Sequence, residues 1–190
     1  MSGGIAQLVA VGAQDAHIVG NPEVSFFRST YKRHTNFAQT VEKQVIQGNP
    51  ATNGMSTVRF ERKGDMLGHV YITNRSPANS TRVQWKDQIK KVELLIGGQV
   101  IDTQTSEFSQ EIVPVMLSQT YSKSLAAAAA DKSAVYPLRF SFCENAQSAL
   151  PLIALQYHDV EIRISWNAVS ATDYEVHAQF VYLDTDERTA

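Results

Sequence analysis

A single cysteine, Cys143, is the only thiol in 190 residues, so no internal disulfide can form. A lone thiol in a chain without a signal-peptide pattern fits a reducing compartment. Long hydrophobic runs are missing too. The stretch from Ile5 to Ala13 lacks a basic start and is broken by Gln7 and Gly12. No segment approaches the roughly 18 apolar residues a spanning helix requires, so neither secretion nor membrane insertion is expected. Positive charge is also scarce. Seventeen Lys plus Arg against nineteen Asp plus Glu give a formal charge of -2, a poor footprint for gripping phosphates, and direct nucleic-acid binding is not expected.

Motifs that carry chemistry are likewise absent from the sequence. There is no G-x-S-x-G, no Walker loop and no G-x-G-x-x-G. The histidines are His17, His34, His69, His158 and His177, none adjacent to another or spaced H-x-H, so a cupin-like metal site would have to be assembled by tertiary folding alone. Phe140 and Phe142 flank Cys143, which reads as a small buried hydrophobe with an inert thiol rather than a nucleophile. Asp184, Asp186 and Glu187 form a small carboxylate cluster that reads as hydrated surface. No catalytic residue, cofactor or metal is expected, and the chain is not read as an enzyme.

What is present is a globular composition, 43% hydrophobic and 19% charged. A domain of this length buries roughly 70% of the surface its unfolded chain exposes, so it needs no disulfide or metal to hold it. Val160, Ile162, Ile164 and Trp166 alternate with Asp159, Glu161, Arg163 and Ser165, which predicts a strand with one wet face. Val176, Ala178, Phe180 and Tyr182 alternate with polar residues in the same way, and the two strands are expected to pair as antiparallel neighbours. Ser56 to Arg62, the turn Lys63-Gly64-Asp65 and Met66 to Thr73 read as a second hairpin. Ile89 to Ile96, Gly97-Gly98 and Gln99 to Asp102 read as a third, because paired glycines tolerate the positive φ of a two-residue turn. A strict two-residue loop would oppose Glu93 to Asp102, an unfavourable like-charge pair, which leaves a three-residue loop with a bulge as the alternative.

Phe37 to Ile46 suits a helix or a strand, since Phe37, Val41 and Val45 recur every four residues; strand is preferred. Glu107 to Leu117 is the best helix, to be kinked or ended by Pro114, and Ala126 to Ala130 favours a helical turn. At least seven short strand signals outweigh these, giving an all-β chain folded as an antiparallel sandwich or barrel. Residues 1–35 differ in character and read as an N-terminal arm, with 36–190 as one domain. In the arm Phe26, Phe27 and Tyr31 stand among Arg28, Lys32, Arg33 and His34, a mixture that anchors protein interfaces. Aromatics among cations also stack bases, but three cations against two acids before residue 41 favour a protein partner.

Several blocks resemble a known family. Gly3-Gly4-Ile5-Ala6-Gln7-Leu8-Val9-Ala10, Gly12-Ala13-Gln14-Asp15, Gly20-Asn21-Pro22, Phe26-Phe27 and Tyr31-Lys32-Arg33-His34-Thr35-Asn36-Phe37 are similar to the start of the major capsid proteins of large nucleocytoplasmic DNA viruses. Ile96 to Asp102, Ala149 to His158 and Tyr182 to Arg188 resemble later landmarks of that family, in the same order. The resemblance implies a jelly roll of two four-stranded antiparallel sheets, strands lettered B to I, with short helices in its loops. It implies two rolls in tandem, trimers of six-fold outline and an icosahedral shell. This chain ends about where a second roll would begin. It is expected to be the N-terminal part of a longer protein, or else a single-roll minor capsid or penton component.

The function expected is therefore that of a structural capsid subunit in the virion, assembled in the host cytoplasm. Its partners would be further copies of itself, as a trimer if full-length, and other capsid proteins, with Phe26, Phe27, Arg28, Tyr31 and Arg33 as interface candidates. A carbohydrate-binding jelly roll is the competing reading, for which Trp85 and Trp166 are the aromatics to inspect; the alternation places Trp166 on the core side.

Overall fold

The computed structural model describes residues 3–10, 12–13, 16–75, 83–117, 135–169 and 173–189. The expected helical turn at Ala126 to Ala130 lies outside the described residues. The chain divides into two units, residues 1–35 and 36–190. The first holds two short helices, α1 (Gly3–Val9) and α2 (Ala16–Val19), and then runs without regular structure to Asn36.

The second unit is built of two antiparallel sheets. Its strands are β1 (Phe37–Gln44), β2 (Ile46–Gln47), β3 (Met55–Arg59), β4 (Met66–Arg75), β5 (Ile89–Ile96), β6 (Gln99–Thr105), β7 (Val135–Pro137), β8 (Leu150–Pro151), β9 (Val160–Trp166) and β10 (Asp173–Leu183). The first sheet runs β1-β10-β4-β7, with β8 also paired to β4; the second runs β2-β3-β9-β5-β6. Among the described residues each sheet has five strands where four were expected, because the two-residue strands β2 and β8 are added to eight longer ones. Lettered B to I in chain order, those eight read B-I-D-G in one sheet and C-H-E-F in the other, the jelly-roll arrangement.

Two expected pairings are corrected. β3 and β4 are not a hairpin: β3 pairs with β9 in the second sheet, and β4 pairs with β10 in the first. β9 and β10 do not pair with each other either. Alternation identifies the dry face of a strand but not its neighbour, and in both cases the chain crosses to the opposite layer. The core faces of β9 (Val160, Ile162, Ile164, Trp166) and β10 (Tyr174, Val176, Ala178, Phe180) both contribute to the shared core. Each large apolar side chain fully removed from water there contributes about 1.5–3 kcal/mol. Trp166 and Tyr174 meet with ring centroids 4.5 Å apart.

The ribbon expected as one strand over Phe37 to Ile46 is a strand that changes sheets. β1 belongs to the first sheet and β2 to the second, with Val45 at the corner. Gln44 is buried at this corner, where its Oε1 accepts the Glu61 N–H at 3.0 Å and satisfies a backbone donor at the bend. The β5–β6 hairpin has a two-residue turn, with Gly97 at φ +61° and Gly98 at φ +81°. A bulge follows between the Leu94 and Leu95 pairings, so Leu94 faces Asp102 and Glu93 faces Thr103. The bulge removes the like-charge pair that a regular register would create.

Short helices fill the connections: α3 (Trp85–Gln88), a π-helical turn (Phe108–Ile112) followed by α4 (Val113–Leu117), 3-10 turns at Ser141–Cys143 and Ala146–Ser148, and α5 (Thr185–Thr189). Pro114 does not end the helical run: the wide turn gives way at Val113 to α4, which carries Pro114 in its first turn, where a missing N–H is tolerated. Among the described residues no helix is long and apolar enough to cross a membrane.

Candidate assembly interface

The arm's aromatics are almost wholly in solvent. Phe26 is 98% exposed, and Phe27 and Tyr31 are each 96% exposed. Arg28 and Arg33 are exposed beside them. Locally, Ser25 Oγ accepts the Phe27 N–H at 3.2 Å. Three large aromatic side chains held out in water are an unusual expense for a chain unless something covers them.

On the second unit the sequence pattern hid a second apolar surface. The register of β1 against β10 pairs Ala38, Thr40, Glu42 and Gln44 with Tyr182, Phe180, Ala178 and Val176, the core-facing residues of β10. Phe37 and Val41 therefore face outward, at 63% and 53% exposure. Val45 is exposed at the corner.

An open cleft of about 700 Å³ lies beside that corner, lined by residues that include Val45, Arg59, Glu61, Arg62 and Tyr157. Its charges are locally matched. Arg59 donates to Asp159 at 2.5 Å, and this hydrogen bond holds the guanidinium pKa above its ordinary value. Arg62 donates to the carbonyls of Leu155 and His158, the latter at 2.8 Å. Lys63 sits between Glu42 at 2.5 Å and Glu61 at 3.0 Å, and hydrogen bonds to these carboxylates raise its pKa. Such exposed pairs organise the surface and add little to stability.

The residues weighed for chemistry are scattered. Cys143 is buried, and burial pushes its thiol up to about 11, which keeps it protonated and unreactive at neutral pH. His158 lies against Gly97, whereas His177 stacks on Tyr71 at 5.2 Å and contacts Glu175 at 3.3 Å. Among the described residues no three His, Cys, Asp or Glu side chains converge as a metal site. Asp184, Asp186 and Glu187 are exposed at the end of β10 and in α5. Trp85 and Trp166 are both 1% exposed, so neither offers a sugar-stacking platform.

Residues 25–185 match the family described as major capsid protein N-terminus. The chain belongs to that family. It is 36% identical to the major capsid protein of Pyramimonas orientalis virus, over 99% of this chain and 55% of the relative. It is 31% identical to that of Paramecium bursaria Chlorella virus 1, over 100% of this chain and 50% of the relative. The chain thus spans about half the length of the curated relatives it matches. Among solved structures, a PBCV-1 virus capsid superposes with a TM-score of 0.68 at 24% identity, covering 87% of this chain and 47% of the other. The Faustovirus major capsid protein superposes at 0.60 with 8% identity, covering 94% and 59%. These likenesses show the same fold, in line with the B-I-D-G and C-H-E-F sheets.

Proposed function

We propose that this chain is a structural subunit of an icosahedral virion, a roll whose work is to pack against further copies and other capsid proteins. The observation that carries the reading is the family match across residues 25–185 on a two-sheet jelly roll. In this reading residues 1–35 are an arm and 36–190 the roll, with Phe26, Phe27, Arg28, Tyr31 and Arg33 contacting a neighbour. In the full-length protein a second roll follows, and three chains with two rolls each form a capsomer of six-fold outline. Assembly takes place in the host cytoplasm. The subunit catalyses nothing, holds no cofactor, and touches neither nucleic acid nor membrane directly.

Size measurement tests this. Light scattering of residues 1–190 is expected to give concentration-dependent oligomers, and a strict monomer at every concentration would overturn the reading that this roll associates through its own surfaces. Removing residues 1–35 is expected to leave a cooperatively folded monomer that no longer assembles. Loss of folding on that deletion would overturn the arm assignment.

A further inference from the structure

The outer face of the first sheet is apolar along one edge. Phe37 and Val41 stand outward and exposed on β1, with Leu183 half-buried beside Phe37 on β10; Met66 on β4 is half-buried, and Val181, between Gln39 and Met66, is already buried. The polar groups of this face are already occupied. Gln179 donates to Gln39 at 3.2 Å, and Glu175 accepts from Lys43 at 2.7 Å and contacts His177 at 3.3 Å. Phe37 and Val41 are the apolar groups left uncovered, Leu183 partly so, and β1 has no strand on its far side among the described residues. Such a face gains from burial and loses little polar hydration.

Its charge is one-signed at the Phe37 end. Asp184, Asp186 and Glu187 follow directly on Leu183 and are exposed, while Arg188 is turned back to Asp65 at 3.2 Å and to the Leu183 carbonyl at 3.3 Å. The chain also carries a segment of the opposite character. Residues 25–35 hold Phe26, Phe27 and Tyr31 with Arg28, Lys32 and Arg33, and no acid.

We propose that residues 25–35 of a second copy lie on this face, the aromatics covering Phe37, Val41 and Leu183 and the cations meeting Asp184, Asp186 and Glu187. The assignment rests on the shell-subunit reading and names the surface of the neighbour that receives the arm. Three cations against three carboxylates supply orientation and encounter rate, and the aromatic burial supplies affinity. A polyanion is a poorer occupant, because those three carboxylates would repel it.

Mixed cross-linking tests the assignment on the intact chain. One preparation carries Ser29→Cys, the other Thr185→Cys; native Cys143, buried and protonated, stays silent near neutral pH. Oxidation of the mixture is expected to give a disulfide-linked mixed dimer, about five-fold above a Gln99→Cys control on the other sheet, if electrostatic and apolar matching select the pairing. The yield is expected to fall in about 1 M salt, where charges are screened within about 3 Å. It is expected to fall also with Asp186→Lys plus Glu187→Lys in the receiving chain, and to recover when the arm carries Arg28→Glu and Arg33→Glu. Oligomers without a mixed dimer above the control would overturn the docking assignment and leave the shell reading standing. Monomers throughout would overturn the docking, and with it association through this roll. A chain bearing both cysteines that closes only on itself would place the arm on its own body and overturn the assignment.

Discussion

Replacing Asp65 by alanine removes one carboxylate from the place where three pieces of chain are tied together. Asp65 Oδ2 accepts the Leu183 N–H at 2.7 Å and the Arg188 guanidinium at 3.2 Å. Its main chain meanwhile donates to the Val181 carbonyl and accepts from Leu152, each at 2.9 Å. Alanine keeps the main-chain bonds and leaves the Leu183 N–H and Arg188 without that acceptor. A hydrogen bond to a charged group contributes about 1.5–3 kcal/mol. The Arg188 side chain is 48% exposed, so solvent reduces its share to about 0.5–1 kcal/mol. Asp65→Ala is therefore expected to cost about 2–3 kcal/mol, Asp65→Asn about 1, since its amide oxygen still accepts from Leu183, and Arg188→Ala about 0.5. Urea unfolding followed by tryptophan fluorescence reads this directly, both indoles being buried. A slope of about 1–3 kcal/mol per molar urea turns the alanine cost into a midpoint shift of about 1 M. An Asp65→Ala midpoint equal to the native one, or an Arg188→Ala cost as large as that of Asp65→Ala, would refute this division of roles.

Three further outcomes follow from buried groups. The Trp166 indole N–H donates to Ser56 Oγ at 2.8 Å within the core, so Ser56→Ala is expected to cost about 1–3 kcal/mol, read by the same unfolding assay, and to cost much less in a Trp166→Phe background. Gly64 has no room for a side chain, since a Cβ would stand 2.8 Å from Phe180 Cβ and 3.1 Å from the Val181 carbonyl; Gly64→Ala is expected to lose about 1–3 kcal/mol by the same measurement. Burial raises the Cys143 thiol from 9.0 to about 11, so the unfolded chain releases this proton first as pH rises. The stability it contributes is complete below pH 9 and is lost between pH 9 and 11, by about 2–3 kcal/mol. Cys143→Ala is expected to flatten that part of the stability curve relative to the native chain.

Much of the fold was legible because its inner faces obey a period of two. Val160 to Trp166 and Val176 to Phe180 are strands whose apolar members are all buried. Gly97-Gly98 marked a true two-residue turn, and the expected clash of Glu93 with Asp102 pointed to the bulge that resolves it. Pairing was illegible where the chain changes layers. Lys63-Gly64-Asp65 looks like a hairpin turn, yet it carries the chain from β3 in one sheet to β4 in the other. Nothing in the residues of a strand distinguishes a neighbour hydrogen-bonded in the same sheet from one facing it across the core. The two-residue strands β2 and β8 are too short to show any period at all.

The exposed apolar side chains were legible in the arm and invisible on the roll, for one physical reason. Phe26, Phe27 and Tyr31 stood out because no apolar period surrounds them, so they could not be read as core. Phe37, Val41 and Val45 do have a period, and on an ordinary half-buried strand the apolar period marks the inside. On β1 it marks the outside: Thr40, Glu42 and Gln44 face inward at the sheet edge, and Gln44 serves the corner where the ribbon passes into β2. At this edge Gln44 accepts the Glu61 N–H and Glu42 pairs with Lys63, so polar groups of the inner row have partners within the roll. The outward row has no such internal use. Phe37→Ser with Val41→Ser is accordingly expected to shift the unfolding midpoint little while weakening association, and a large loss of folding stability would instead make that row part of the roll's own support.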